Sequence, residues 1–464
     1  MIKLNAKIIE RKMELKNVSD HFSKALIYYM VNKNDLLAFF ITYIIVDFEN
    51  DKMIYIFTYQ KDNVQKIHQE DANKYQLAKC PHCSLQVVKN KSFLTFNEDE
   101  HFFVYVDYEK STVDVLEMAD IIHNSTTQFD KMSHTFFKDY TNSNYFFLSA
   151  VDKEDFLHIY RVSVDLKQVE EIYSCESKPI PPHVLRNYKE YLFLSDEFRY
   201  SKFELKKKNK IVTQDELGRR YYKLSVKLSV RENRTVPFPE ERRILYQQMR
   251  EQLEVKCLPG RIMVVNSKTK EHNYYDTTGG SPAHFEIDEE KGLVYTSSHN
   301  FFGVKDGVIY FEPAVIDKFK IEEDKMIHIG SFSCPMGYRY TSHKIFKINN
   351  KSYLCTFGQP NRLVIACADD MKLLSYHDIG PDELTDQEDL SLYINSIKSE
   401  NELIAVEVSQ DNKIIIFADS KYLYFFDFDE RKIFHKIEHY FHIEDKSLDI
   451  SDYILRTVHF NYLD

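Results

Sequence analysis

The chain is poor in the residues that mark disordered or linker-rich proteins. Its 464 residues include only 11 Gly and 12 Pro, and Trp is absent. With so few of these residues the chain has no room for long low-complexity tracts. Hydrophobic residues make up 43 % and charged residues 29 %. This balance is typical of a globular protein that buries a large core.

An excess of basic charge and a long apolar segment are also missing. The chain has 61 Lys and Arg against 72 Asp and Glu, a net charge of −11, which argues against a dedicated nucleic-acid binder. The longest apolar run, Leu36–Val46, is too short to cross a bilayer as a helix. The N-terminus has no signal-peptide core, and the seven cysteines are scattered. We therefore predict a cytoplasmic protein with reduced thiols, no nucleic-acid partner and no integral membrane segment.

The sequence does contain short strand-like runs, rich in Tyr and Phe, which repeat with a period near 50 residues. The clearest unit, Leu403–Tyr440, has four such runs separated by turns rich in Asp, Asn and Lys. The other units are Ser342–Ile379, Ser133–Ser174, His82–Met118, Ser23–Asp62, Pro282–Pro313 with a last strand near Lys325, and a split unit of Pro182–Glu197 with Gly260–Asp276. Radial repetition is the usual architecture for such a chain. The pattern predicts an all-β, seven-bladed β-propeller in one domain (1–464), whose strand-like ends help to close the ring.

An insertion interrupts the fourth unit at about 199–259. It contains the basic run Lys206–Lys210 and then an amphipathic stretch, Glu240–Val255, with helical periodicity. The predicted fold is therefore a propeller with a partly helical insertion in its fourth blade. Insertions in repeat folds gather on one face, so this segment is either a strut on the rim or a lid over a binding face.

Five units carry a histidine at or beside the start of their first strand. These residues are His82, His134, His183, His284 and His343. First strands of a propeller line its central channel, so such side chains converge on the axis. Imidazoles that meet there are suited to bind Zn, Cu, Fe or Ni. The alternative is that they are channel residues bonded to backbone and water.

Carboxylates near these histidines in sequence are candidates to orient the imidazole rings. They are Asp139, Glu286 and Asp288. A ligand histidine usually donates its second N–H to such a partner, which fixes its tautomer.

Three segments resemble the axial strands of carotenoid cleavage oxygenases. Each places a histidine before a strand, a turn and a second strand: 133–149, 182–195 and 281–301. The glycine-rich signatures of that family are absent. The resemblance implies a seven-bladed propeller with a non-haem iron held by four histidines. It implies His134, His183, His284 and His343 as ligands, with His82 or His299 as substitutes.

Two functions follow from these patterns. The first is a metal-dependent oxidoreductase, a non-haem iron dioxygenase or related oxygenase, that acts on a small-molecule substrate; copper or zinc are the alternative metals. The second is a non-catalytic propeller that binds a protein or peptide on one face. A redox role for Cys80 and Cys83 is disfavoured, because a strand rather than a helix follows the pair. The residues of catalysis other than metal ligands are not specified by the sequence.

Overall fold

The structure is a computed structural model, and it describes most of the strand-forming segments of the chain. The described residues are 4–12, 24–33, 36–47, 51–60, 85–88, 91–95, 102–107, 112–117, 121–122, 129–152, 154, 156–176, 184–196, 202–205, 210–213, 255–257, 259–279, 281–299, 301–305, 308–312, 315–322, 325–333, 343–358, 362–378, 405–409, 411–418, 422–438 and 453–457. The elements that they form are all strands, which confirms the all-β prediction. Within these ranges, no helix is long and apolar enough to cross a membrane.

The first part of the chain forms three sheets, and the first of these also contains a strand from the C-terminal part of the chain. Sheet 1 has the order β1-β4-β3-β2-β34 and consists of β1 (Leu4–Lys12), β2 (Lys24–Lys33), β3 (Leu36–Asp47), β4 (Lys52–Gln60) and β34 (Tyr453–Thr457). Sheet 2 consists in order of β5 (Leu85–Val88), β6 (Lys91–Thr95), β7 (Phe102–Asp107) and β8 (Thr112–Glu117). Sheet 3 consists in order of β9 (Phe129–Lys138), β10 (Tyr145–Asp152), β11 (Phe156–Ser163) and β12 (Val169–Glu176).

Four more sheets follow the same meander. Sheet 4 consists in order of β13 (Leu185–Tyr188), β14 (Tyr191–Asp196), β18 (Arg261–Asn266) and β19 (His272–Asp276). Sheet 5 consists of β20 (Ser281–Asp288), β21 (Leu293–His299), β24 (Val315–Glu322) and β25 (Lys325–Ser333). Sheet 6 consists of β26 (His343–Ile348), β27 (Lys351–Gly358), β28 (Arg362–Cys367) and β29 (Lys372–Asp378). Sheet 7 consists of β30 (Ala405–Val408), β31 (Ile414–Ala418), β32 (Tyr422–Asp427) and β33 (Lys432–Glu438).

Two small sheets accompany these seven in the described residues. Three short strands from the insertion, β15 (Lys202–Leu205), β16 (Lys210–Thr213) and β17 (Val255–Cys257), pair in the order β16-β15-β17. A hairpin of β22 (Phe301–Lys305) and β23 (Val308–Glu312) stands apart from sheet 5. The amphipathic stretch of the insertion lies outside the described residues, apart from Val255 in β17.

The repeat units of the sequence correspond to the sheets, with one difference. The split unit is confirmed, because β13 and β14 pair with β18 and β19 across the insertion. In the unit that begins at Pro282, the run Phe301–Pro313 was expected within the blade. Instead it forms the β22–β23 hairpin, and β24 takes the place beside β21. Residues Ile316–Phe319 of β24 are buried one after another, as expected for a strand that is covered on both faces and lies inside its sheet.

Contacts divide the chain into two compact units. The first comprises Met1–Leu192, Val265–Glu271 and Ile404–Asp464; the second comprises Phe193–Val264 and His272–Leu403. The prediction of one domain over 1–464, and of a closed seven-bladed ring, stays a prediction.

Sheets 5 and 6 pack on each other inside the second unit. Their shared apolar cluster is Leu293, Tyr295, Ile316, Phe332, Leu354, Val364, Ala366 and Ala368. Each Leu, Ile, Val or Phe side chain of this cluster contributes about 1.5–3 kcal/mol when fully buried. The buried Lys318 Nζ donates to the carbonyl oxygens of Ala368 at 2.8 Å and Asp369 at 2.9 Å. Apolar burial and these polar links hold β20 and β26 side by side, and this places the histidines described next.

Candidate metal centre

Two of the four predicted ligands meet between sheets 5 and 6. His284 lies on β20 and His343 is the first residue of β26. Their ring centroids are 4.8 Å apart, and the ring planes cross at 85° in an edge-to-face arrangement. The expected convergence of histidines from neighbouring units is therefore observed for this pair.

His343 is buried, and neither of its ring nitrogens makes a well-formed hydrogen bond within the described residues. Its side chain has no solvent exposure. Burial lowers the pKa of His343 well below its ordinary value of 6.5, and the neighbouring His284 lowers it further. The ring is therefore neutral at neutral pH, with one N–H and one lone pair unused. Leaving such groups unsatisfied costs about 1–3 kcal/mol each, so the site is built for a partner.

Glu286 orients His284. The Nε2 of His284 lies 3.3 Å from Glu286 Oε1, and the same oxygen lies 3.2 Å from Lys344 Nζ. His284 and Glu286 point to the same face of β20, because they are two positions apart on the strand. With Nε2 donating to the carboxylate, the Nδ1 lone pair of His284 is left for another ligand.

The other two candidate carboxylates have different partners. Asp139 is buried and accepts hydrogen bonds from Arg161 Nε at 2.8 Å and Asn187 Nδ2 at 2.7 Å. Asp288 pairs with Lys347 Nζ at 2.9 Å. Of the three carboxylates that the sequence suggested, Glu286 alone touches a candidate ligand within the part of the chain described.

The remaining predicted ligands are not part of this pair. The backbone places His134 on β9 opposite Ala150, and His299 at the end of β21 opposite Ser281. His183 and His82 lie outside the described residues, as do Cys80 and Cys83. The described residues contain no group of three or more potential metal ligands. The four-histidine set of His134, His183, His284 and His343 therefore stays a prediction.

His158 shows what a satisfied buried histidine looks like. It lies on β11, the third strand of sheet 3, and its Nε2 is 3.0 Å from Asp152 Oδ2. Its Nδ1 is 3.2 Å from Glu171 Oε1. Both ring nitrogens are thus engaged by carboxylates, which is a structural role.

Sequence reasoning missed a row of buried hydroxyls beside the histidine pair. Thr296, Ser297 and Ser298 are consecutive on β21, have no solvent exposure, and carry hydroxyls without a partner among the described residues. The sequence feature that indicates them is the run Thr-Ser-Ser, which directly follows the apolar residues Leu293–Tyr295 of the same strand.

Comparison with known proteins identifies the fold and no family. No family model matches the chain, and no curated protein does. A crystal structure of a chimera of apocarotenoid oxygenase and RPE65 has a TM-score of 0.50 and 8 % identity, and the match covers 95 % of this chain and 94 % of that one. At this identity the likeness shows the fold alone. This fold is all-β and propeller-like.

Two other solved structures have lower scores. A point mutant of Synechocystis apocarotenoid oxygenase has a TM-score of 0.49 at 8 % identity, covering 95 % of this chain and 94 % of that one. Saccharomyces cerevisiae Sqt1 has a TM-score of 0.37 at 6 % identity; this chain covers 64 % of its length, and the match spans 68 % of this chain.

Proposed function

We propose that the chain is a metal-dependent oxygenase of small molecules, with a non-haem iron held by histidines on the inner strands of a seven-bladed propeller. His284 and His343 are two of the ligands; His134 and His183 complete the set. The observation that carries the proposal is the buried, unsatisfied imidazole of His343 at 4.8 Å from the ring of His284.

The spacing of the two rings fits ligands of one ion. Imidazoles that bind a metal at about 2.1 Å, with angles of about 90–110° at the metal, have ring centroids about 4.6–5.3 Å apart. The observed 4.8 Å lies in this range. The nitrogen donors are also of the right chemical type, since imidazole suits iron, copper and zinc.

The residues prepare the site in three ways. Burial keeps His343 neutral, so no proton competes for its lone pair at neutral pH. Glu286 holds Nε2 of His284 and thereby fixes the tautomer and ring plane. Burial between sheets 5 and 6 keeps bulk water away from the ring of His343, while His284 stays partly exposed. Iron held by these imidazoles would act there as a redox-active Lewis acid.

Metal analysis of purified variants tests the proposal. Wild-type protein, loaded separately with iron, copper or zinc and then desalted, is expected to keep about one ion per chain. His284→Ala and His343→Gln are expected to lose at least ten-fold in metal content, and His134→Ala and His183→Ala likewise. His377→Ala, on the outer strand β29, is the matched control and should keep full content. Full retention in His284→Ala and His343→Gln contradicts the proposal, as does a wild-type protein that binds none of the three metals.

A protein-binding propeller is the second candidate, and the outer strands support it. Large apolar side chains are exposed on β25 and β29: Ile327, Ile329, Leu373, Leu374 and Tyr376. Exposed apolar clusters of this kind occur at protein interaction sites. A protein that binds no metal would leave this function as the better supported one.

A further inference from the structure

The unsatisfied hydroxyls of β21 are divided between the two faces of sheet 5. Side chains two positions apart on a strand share a face, so Ser297 shares one with Tyr295, while Thr296 and Ser298 share the other. In the register of β20 and β21, Ser297 lies directly opposite His284. Side chains that are directly opposite share a face and have Cβ atoms about 4.5–5.5 Å apart. Ser297 therefore belongs to the face that carries the histidine pair.

His343 lies against the same stretch of β21. Its ring meets the ring of His284 and lies within hydrogen-bonding reach of the backbone of Tyr295, two residues before Ser297, and this backbone contact partly offsets the lowering of the pKa of His343. Three polar atoms without a well-formed hydrogen bond among the described residues thus lie on or against this face of sheet 5: the two ring nitrogens of His343 and the hydroxyl of Ser297. One bound metal can satisfy only one nitrogen of a ring, so a second partner is required.

A buried water meets this requirement. Internal waters occupy sites with two to four polar partners and are the usual partner of buried polar groups that the protein leaves unsatisfied. Ser297 Oγ both donates and accepts, and a neutral imidazole offers one donor and one acceptor. The two side chains are therefore complementary to a water molecule whichever ring nitrogen faces it.

We propose that Ser297 is a positioning residue for His343: its hydroxyl holds a buried water that hydrogen-bonds to one ring nitrogen and so fixes the tautomer and the ring plane. Glu286 performs the corresponding role for His284 through a direct contact. The part of this inference that concerns metal affinity rests on the proposed function, whereas the part that concerns the tautomer does not.

Ser298 is the matched control. It is the next residue on β21, has the same zero exposure and the same unsatisfied hydroxyl, and points to the opposite face. Ser297→Ala and Ser298→Ala thus each remove one fully buried hydroxyl, on opposite faces of the same strand. Ser297→Thr keeps the hydroxyl and is the rescue variant.

The first measurement is the tautomer of His343 in metal-free protein. Two-bond ¹H–¹⁵N spectra of protein with ¹⁵N-labelled histidine rings show which nitrogen carries the proton, and the signal that is lost in His343→Gln assigns it. We expect one tautomer in the wild type, in Ser298→Ala and in Ser297→Thr. We expect mixed tautomers or exchange broadening in Ser297→Ala, with unchanged circular dichroism. An unaltered His343 signal in Ser297→Ala overturns the inference.

The second measurement is the dissociation constant for Zn²⁺, determined by chelator competition. Loss of an outer partner of a ligand histidine weakens metal binding by about 10–100-fold. We expect this loss in Ser297→Ala and no change in Ser298→Ala; equal affinities overturn the inference. If the wild type binds no metal, the proposed function fails, and the tautomer measurement still decides the role of Ser297.

Discussion

At the scale of single residues, two buried histidines of this chain differ in what surrounds their nitrogens. His158 has a carboxylate at each nitrogen, at 3.0 and 3.2 Å, whereas His343 has no well-formed hydrogen bond at either within the described residues. Both are well buried. Burial alone therefore does not distinguish a structural histidine from a candidate ligand, whereas the presence or absence of hydrogen bonds at the ring nitrogens does.

The partner of His158 gives a pH-dependent stability prediction. Burial raises the pKa of Asp152, but the amide of Phe156 and the ring of His158 outweigh it, so the pKa lies below its ordinary value of 3.8. A depressed pKa stabilises the fold above the unfolded pKa, and the contribution is lost as pH falls through the folded one. Asp152→Asn is expected to lower the free energy of unfolding by about 1–2 kcal/mol at pH 7.

Urea unfolding at pH 7 and at pH 3 checks this. The difference between wild type and Asp152→Asn should shrink as the pH falls below 3.8, because the native carboxylate then becomes protonated. Glu154→Gln, in the same turn and exposed to solvent, should have no effect at either pH. A difference that is constant with pH would show that the charge of Asp152 does not matter.

At the scale of elements, the chain uses the left-handed backbone region in its turns with few glycines. The residue just before β4, β21, β29 and β33 has a positive φ each time: Asp51 at 52°, Gly292 at 63°, Met371 at 56° and Arg431 at 54°. Only one of the four is glycine. The same turn thus recurs with four different side chains, which explains why the scarcity of Gly does not prevent tight hairpins.

Arg431 allows this backbone strain to be measured. A non-glycine residue in the left-handed region costs about 1–2 kcal/mol, and glycine avoids that cost at an entropic penalty of about 0.5–1 kcal/mol. Arg431→Gly is therefore expected to raise the free energy of unfolding by up to about 1 kcal/mol. Asp429→Gly, two positions earlier in the same turn and without a positive φ, should lower it. Thermal unfolding of both variants is the measurement, and destabilisation of equal size in the two would contradict the argument.

The two-residue turn between β26 and β27 is of the kind that β-hairpins favour. Asn349 and Asn350 have φ values of 50° and 64°, and they connect the paired residues Ile348 and Lys351. Positive φ at both central positions is the type I′ turn, whose twist matches the strands of a hairpin. Asn tolerates this region better than most residues.

In four sheets the pairing between the third strand and the outermost strand shifts by one residue. On the third strand, the shift lies between Ile159 and Tyr160 in sheet 3. In sheets 5, 6 and 7 it lies at the corresponding positions, Lys318/Phe319, Ile365/Ala366 and Phe425/Phe426. An extra residue in an edge strand bends it and disfavours pairing with another chain. The exposed apolar side chains of β25 and β29 therefore stand on strands that are poor templates for strand addition.

At the scale of the whole molecule, the sequence predicted the strand repeat, while the polar groups around the predicted histidines follow only from the fold. Strand-like runs with polar turns located the sheets, including the split unit, because short apolar runs bounded by turn residues are typical of strands that are buried on both faces. The hairpin of β22 and β23 was missed, since its sequence resembles that of a blade strand. The repeat placed His284 and His343 at equivalent positions, but Ser297 faces this pair only through the register of β20 and β21, which local sequence does not encode.

The insertion should be removable without loss of the sheets. β16 and β17 both pair with β15, so the segment between them leaves and returns at one small sheet. A linker of about six Gly and Ser residues is long enough to join Thr213 to Val255, because neighbouring strands lie about 4.8 Å apart and a strand rises about 3.3 Å per residue. Replacing residues 214–254 by this linker should leave the circular dichroism spectrum strand-rich and the unfolding cooperative. Loss of cooperative unfolding would show that the segment is a strut.

The strand β34 should be needed for a stable sheet 1. It covers the edge of β2, with Tyr28 paired to Thr457 and Val31 to Tyr453. A chain that stops after Asp452 is expected to show a lower melting temperature and concentration-dependent aggregation, because the edge of β2 is then open. A chain that stops after Thr457 keeps the strand and serves as the control. Light scattering during heating checks both, and equal behaviour would refute the role of β34.

The pairing of β2 with β34 also sets an order of events during synthesis. About 420 residues separate the end of β2 from the start of β34, which at 5–20 residues per second takes a ribosome about 20–85 s. Throughout this interval the nascent chain carries one strand edge whose own partner has not yet been made. Factors that bind emerging polypeptides would therefore act on β2 for longer than on any strand whose partner follows within the same hairpin.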